Sequence, residues 1–338
     1  MLAACGESGD GTRPAQAAAE SVCDRAALRA ELDTIAMETG GRLSVSFVDP
    51  ASGERFSFNG TAPVFMSSVV KLPVAVQLLA RVDAGELSLA DTLRVDREQL
   101  SIGHSPLAAQ YPDGVALPVD SLLRRAVSDS DNSAHDALLR YSGGPRRVTA
   151  ELQRLGIADI RVDRNYLEYG WDLFGGGARP TRTALTRTAV ERARSAALSA
   201  ADAVHDSLSA AFASQPEDRA TTDAVAALLA RLARGELLSD SSRTLLRRLL
   251  TETRNPRDRI VAALPRGVVA AHKTGTWTDW NDVFTSISDV GLIRLSDDTE
   301  IALAVMIAEA PGEEASLAAS IAEATGAVLR DWTRCRGR

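Results

Sequence analysis

Ser68 and Lys71 stand three residues apart at the head of an apolar run that continues through Val74, Val76, Leu78, Leu79 and Val82 with helical spacing. If Ser68 opens that helix, both side chains project from one face, a turn apart. A serine hydroxyl is a poor nucleophile until a base takes its proton, and a lysine held neutral by burial or by other cations can be that base. The unpaired N–H groups and positive dipole end of the helix would steady an oxyanion forming beside Ser68. On its own, Ser-x-x-Lys turns up about once by chance in a chain of ordinary composition. It describes a surface serine near a helix cap just as well. Two later stretches change its weight: Ser130-Asp131-Asn132 in the middle of the chain and Lys273-Thr274-Gly275 near its end.

The elements that must position these residues can be read from periodicity. Residues 24–39 place Leu28, Leu32, Ile35 and Met37 at helical spacing before Gly40-Gly41 stops them. The period then changes to two, with Leu43, Val45 and Phe47 alternating with serines, a turn at 49–53 and a return over 55–58, which predicts a hairpin. From Ser68 the pattern is helical and loop-like as far as Val268. Strands are predicted over 268–274, 283–295 and 300–308, and a closing helix over 316–332. Strands at both ends around a helical middle imply an α/β protein of the α+β type, with a five-stranded antiparallel sheet assembled from both termini and flanked by the terminal helices. The expected division is a tail over 1–22, a sheet domain from 23–61 and 256–338, and an inserted all-helical domain over 62–255, with the Ser68 site in the cleft between them.

The ordered trio resembles the signature of class A β-lactamases and penicillin-binding proteins. The likeness to class A β-lactamases runs from about residue 24 to 332. It includes His104-Ser105-Pro106, Ser142-Gly143-Gly144-Pro145, Asp163-Arg164, Gly235 to Ser239, Leu264-Pro265-Arg266-Gly267 and Asn281-Asp282-Val283. The resemblance implies Ser68 as nucleophile, Lys71 as its base or proton relay, and Ser130 as the shuttle that passes a proton to the leaving nitrogen. It implies an oxyanion hole made by the backbone N–H groups of Ser68 and Thr276. Asn132, Lys273, Thr274 and Thr276 would bind substrate, His104 would sit at the rim, and Gly275 would let substrate approach the strand closely. Asp131 is expected to point inward on hydrogen bonds, and His272 to face away from the site as a packing residue. Trp277 and Trp280 follow the Lys-Thr-Gly strand and fit either the pocket wall or the core.

One departure bears on mechanism. Where the family carries the glutamate that activates the deacylating water, this chain has Tyr166, and Gly170 stands where an asparagine would help hold that water. Glu168 lies two residues on, a displacement of several ångströms in a loop. Residues 171–214 are extra sequence: a turn with Gly175-Gly176-Gly177, then a helical, Ala- and Arg-rich stretch. Such an insertion is either a lid that reshapes the pocket or a solvated decoration. The lost glutamate predicts that acylation survives while hydrolysis of the acyl-enzyme is slow.

Composition bounds the alternatives. With 38 basic and 45 acidic residues the net charge is −7, which argues against nucleic acid as a partner. No apolar run reaches the roughly 18 residues a membrane span needs. The only histidines are His104, His135, His205 and His272, none at metal-ligand spacing, so neither metal nor other cofactor is expected. Met1-Leu2-Ala3-Ala4-Cys5-Gly6 resembles the end of a bacterial lipoprotein signal with Cys5 as the lipidated residue, and 6–19 reads as a tether; a chance sequence is the alternative. Cys23 and Cys335 flank the first and last helical patterns and would pair if those helices pack antiparallel, or are unrelated thiols. The expectation is an exported, monomeric cell-envelope lipoprotein, attached to the membrane only through that anchor, acting on a small β-lactam or a peptidoglycan-like substrate. A D,D-peptidase or transpeptidase is the second reading and a non-catalytic envelope-binding module the third. Ser68, Lys71, Ser130 and Lys273 standing together argue against the third, since a pure binder needs no such set.

Overall fold

The computed structural model describes residues 23–180, 185–254, 256–279 and 281–336. Cys5 and the tail, Trp280, Asn255 and the first part of the expected insertion helix fall outside these residues. In chain order, α1 (Ala26–Thr39) leads into the hairpin β1 (Arg42–Val48) and β2 (Arg55–Phe58), and β3 (Val64–Phe65) precedes a 3-10 turn, Ser67–Val70, that runs straight into α2 (Lys71–Asp83). The helical domain follows with β4 (Thr92–Asp96), α3 (Pro106–Gln110), β5 (Gly114–Pro118), α4 (Val119–Ser128), α5 (Asn132–Tyr141) and α6 (Pro145–Arg154). It continues through α7 (Tyr166–Leu173), α8 (Arg187–Leu198), α9 (Asp202–Ala213), β6 (Arg219–Ala220), α10 (Thr222–Ala233) and α11 (Asp240–Thr251). The chain then returns to the sheet with β7 (Val269–Thr278), β8 (Phe284–Arg294) and β9 (Glu300–Ala308), and ends in α12 (Glu314–Arg336).

The main sheet is five-stranded and antiparallel, in the order β2-β1-β9-β8-β7, so both termini contribute to it. Its two faces are both covered. Leu43, Val45 and Phe47 of β1 pack with Leu28 and Leu32 of α1 and Ile321 and Trp332 of α12. The intervening serines face α10, where Ser46 Oγ meets Thr222 Oγ1 at 2.8 Å and donates to Asp223 Oδ1 at 2.5 Å. Burial on both faces explains why β9 is almost continuously apolar and why β8 is buried almost throughout, its serines and Asp289 included. On the other side of the cleft, α2 is the hub of the helical domain, buried from Lys71 to Leu79 and ringed by α4, α5, α6 and α11. A disulfide joins Cys23 to Cys335 with Cα atoms 5.7 Å apart, tying the start of α1 to the end of α12.

Sequence and structure part company over the short strands. Two small pairs, β3 with β6 and β4 with β5, lie where only helix and loop were expected. β3 and β6 have two residues each, too few for a pattern, and β4 and β5 alternate only briefly, with Leu93, Val95, Val115 and Leu117 in five-residue, largely exposed strands; their partners are supplied by the tertiary fold.

Candidate active site

The serine and lysine meet through a tighter geometry than the α-helix expected. Ser68 lies in the 3-10 turn and Lys71 is the first α-helical residue, its N–H donating to Ser68 O. In a 3-10 turn residues i and i+3 eclipse each other. Lys71 Nζ therefore reaches Ser68 Oγ at 2.9 Å. The turn is held from both sides. Ser67 adopts a left-handed φ of 48° and its hydroxyl lies 2.5 Å from Ser286 Oγ on β8. Gly275 on β7 packs against the same turn, and a side chain there would put its Cβ 2.8 Å from Met66 O. The absence of a side chain at 275 thus also lets the strand pack closely on the segment carrying Ser68. Positive φ recurs at Ser130, 56°, and each such non-glycine residue stores about 1–3 kcal/mol that the surrounding packing must offset.

The rest of the trio is placed by helix ends and a strand edge. Asp131 caps α5; its buried carboxylate accepts from Ala134 N–H at 2.9 Å, Ser105 Oγ at 2.9 Å and Leu107 N–H at 2.5 Å. That fixes Asn132, whose Oδ1 accepts from Lys71 Nζ at 2.8 Å and whose Nδ2 donates to Ile102 O at 3.2 Å. Ser130, Thr274 and Thr276 line one cleft of about 990 Å³ beside Ser68. A second cavity of about 470 Å³ opens on the other side, and Ser68, His104 and Thr276 border both. Lys273 is buried, its Nζ donating to Thr274 O at 2.9 Å. His104 Nε2 lies 2.9 Å from Asp129 O. His272 is turned away from the site and paired with buried Asp289 at 2.9 Å.

Tyr166 changes the site most. Its hydroxyl sits 2.8 Å from Lys71 Nζ and 3.4 Å from Ser68 Oγ. The segment the sequence presented as a loop is α7, and two residues along an α-helix turn a side chain about 200°. Tyr166 therefore faces Lys71 while Glu168 faces elsewhere. Glu168 Oε2 accepts Asn165 N–H at 2.8 Å and Asn165 Oδ1 accepts Glu168 N–H at 2.9 Å, a reciprocal capping box. Tyr166, Tyr169, Gly170 and Leu173 form one helical face, and all four line the smaller cavity, whereas Glu168 does not. The Asn165-x-x-Glu168 spacing was a readable sign of that helix start.

Electrostatics prepare Lys71 as a base. Burial, then the charge of Lys273, push its amine well below the ordinary lysine value, and burial pushes Lys273 down to about 7. A neutral amine has two N–H donors and a lone pair; an ammonium has three donors. Asn132 Oδ1 and Tyr166 Oη can accept in either state, leaving the lone pair, or the third N–H, for Ser68. The amine can thus take the Ser68 proton with its partners already in place. Tyr166, buried, is pushed above the ordinary phenol value, so its neutral hydroxyl cannot act as a carboxylate would. Asp136 accepts Tyr166 N–H at 2.9 Å and is raised by burial to about 6. With the amine as base, acylation is expected to fall as acid protonates Lys71, with an apparent pKa far below the ordinary 10.5. Lys273→Met, which removes the neighbouring positive charge, should move that limb upward; a pH profile of acylation checks it.

Sequence reasoning missed Arg259. It is fully buried, donating to Gly275 O and Ser288 O at 2.9 Å each, to Thr276 Oγ1 at 2.6 Å and to Glu314 Oε1 at 2.8 Å. Nothing in the sequence distinguishes it from Arg254 or Arg257. Its fork fixes β7 at Thr276, so Arg259→Ala should lower Tm by roughly 5 to 10 °C by leaving buried acceptors unpaired, and Arg259→Lys should recover only part of that in a thermal melt.

The insertion is wall rather than solvated decoration. Phe212 of α9 packs edge-on to Phe65 and Tyr169 and stacks with Trp277, at centroid distances of 5.4, 5.3 and 6.0 Å. Val190 of α8 is completely buried against Gly170, where an added Cβ would meet Ile102 Cδ1 at 2.2 Å and Val190 Cγ1 at 2.9 Å. Glycine at 170 is thus the residue the insertion requires.

Comparison with known proteins agrees with this geometry. Residues 27–332 match the beta-lactamase enzyme family. The chain is 24% identical over 286 residues to beta-lactamase VEB-1 of Pseudomonas aeruginosa, covering 83% of this chain and 82% of that one. It is 27% identical over 298 residues to the extended-spectrum beta-lactamase PER-1 of Pseudomonas aeruginosa, covering 88% and 84%. Among solved structures it resembles a beta-lactamase from Chitinophaga pinensis, TM-score 0.73 at 25% identity over 90% of this chain and 98% of that one. The TLA-1 extended-spectrum beta-lactamase shares its fold, TM-score 0.74 at 24% identity over the same shares of the two chains. A serine turn, a buried lysine and a sheet edge in the family's order, matched across nearly the whole described chain, make this protein a member of the beta-lactamase enzyme family, a serine hydrolase of the class A type.

Proposed function

We propose that this hydrolase opens β-lactams by acylating Ser68 and releases the product slowly. Lys71 takes the Ser68 proton as Oγ attacks the lactam carbonyl. The backbone N–H groups of Ser68 and Thr276 steady the oxyanion, and Ser130 delivers a proton to the leaving nitrogen as the C–N bond breaks. The observation that carries the slow second step is Tyr166, a neutral phenol at 2.8 Å from Lys71, standing where a carboxylate would activate water. The same observation favours a second reading, a D,D-peptidase or transpeptidase acting on peptidoglycan-like stems, in which another acceptor resolves the acyl-enzyme. The Cys23–Cys335 disulfide supports export to an oxidising compartment.

Intact-protein mass spectrometry after mixing with benzylpenicillin, with Ser68→Ala as control, tests this. A Ser68-dependent adduct that persists for hours is the expected result. Decay within seconds to minutes would overturn slow release, and no adduct would overturn the β-lactam reading.

A further inference from the structure

We propose that the cavity walled by the insertion is a subsite for an acyl group with an aromatic or apolar body and a negatively charged end, with Arg194 as the residue that selects the charge. This deepens the acyl-enzyme reading above and rests on it. The cavity, about 470 Å³, falls in the range of small-molecule sites and opens directly beside Ser68. Its floor is the α7 face of Tyr166, Tyr169 and Leu173, and Trp277 closes the strand side. The remaining side belongs to α8. Val190, Arg194 and Leu198 follow one another at four-residue intervals, so a single helix face presents all three. Val190 anchors that face against Gly170, and the next two turns bring Arg194 and Leu198 to the cavity.

Two observations point to a ligand. Leu198 is 57% exposed although it lines an apolar cavity, so an apolar group bound there would cover it. Arg194 has no paired carboxylate among the described residues, whereas neighbouring Arg187 is bonded to Glu191 at 2.6 Å. Asp279, the acidic residue on the opposite side, is engaged by the N–H groups of Asn281 and Val283 at 2.8 and 3.0 Å. The helix carrying Arg194 is fixed in place, since Thr188 donates through N and Oγ1 to Glu98 at 3.0 and 2.7 Å.

The test compares Ser68 acylation by benzylpenicillin and by its derivative carrying a carboxylate at the 4-position of the phenyl ring, followed by intact mass. The parent protein should acylate about fivefold faster with the carboxylated compound, and the preference should shrink as salt is added. Arg194→Ala should erase the preference and Arg194→Glu should reverse it, each read as the ratio of the two acylation rates within one variant, because only the carboxylated ring carries a charge for residue 194 to meet. Equal rates for the two compounds in the parent, or a preference that survives Arg194→Ala, would overturn the subsite. Absence of any benzylpenicillin adduct would instead overturn the acyl-enzyme reading on which it rests.

Discussion

Lys71→Met is expected to slow acylation of Ser68 by about a hundredfold to ten-thousandfold while leaving the protein folded. Lys71 Nζ is the one amine within hydrogen-bond distance of Ser68 Oγ among the described residues, at 2.9 Å, and nothing else there can take the proton. The hydroxyl of Tyr166, 3.4 Å away, is held neutral and is a still weaker base. Methionine matches the length of the lysine stem and removes an ionisable amine from a fully buried position, and a thermal melt separates a loss of rate from a loss of fold. Stopped-flow or quenched mass measurements of the acylation rate, with a thermal melt beside them, give both quantities. The acidic limb of the pH profile should vanish in the variant along with the rate. An acylation rate within about tenfold of the parent would mean that some other group serves as base, and Lys71 would be reduced to positioning Ser68.

Tyr166→Glu should shorten the life of the benzylpenicillin adduct by about a hundredfold, and Tyr166→Phe should not. Glutamate is shorter than tyrosine, so it both supplies a carboxylate on the α7 face directed at Lys71 and frees room for a water. Phenylalanine removes the hydroxyl and supplies no base, so its adduct should persist. The rescue will be partial because Gly170 cannot become the asparagine that would help hold the water: Ile102 and Val190 fill the space its side chain needs. If the Tyr166→Glu adduct forms normally and still lasts for hours, the missing base is not what keeps the acyl-enzyme alive, and shielding by the insertion wall becomes the better account.

What the sequence by itself determined is the part of the protein governed by local pattern and residue chemistry. Alternation in β1, apolar runs in the later strands, helical spacing in α1, α2 and α12, and the Gly40-Gly41 that ends α1 gave the sheet-and-helix architecture, because burying apolar side chains at period 2 or 3.6 allows few other arrangements. The order of Ser68, Lys71, Ser130, Asn132 and Thr274 indicated acyl transfer through its resemblance to the class A β-lactamase signature. Only the tertiary structure decided the rest. Whether Tyr166 was merely a lost glutamate depended on its facing Lys71, and that followed from α7 being a capped helix with Glu168 spent on its cap. The burial of Lys273 and the close packing of Gly275 on the turn that carries Ser68 were set by neighbours distant in sequence. Arg259 and the wall built by Val190 and Phe212 were invisible for the same reason. A buried arginine or a cavity-lining helix looks like any surface arginine or amphipathic helix until the segments that enclose it are brought together.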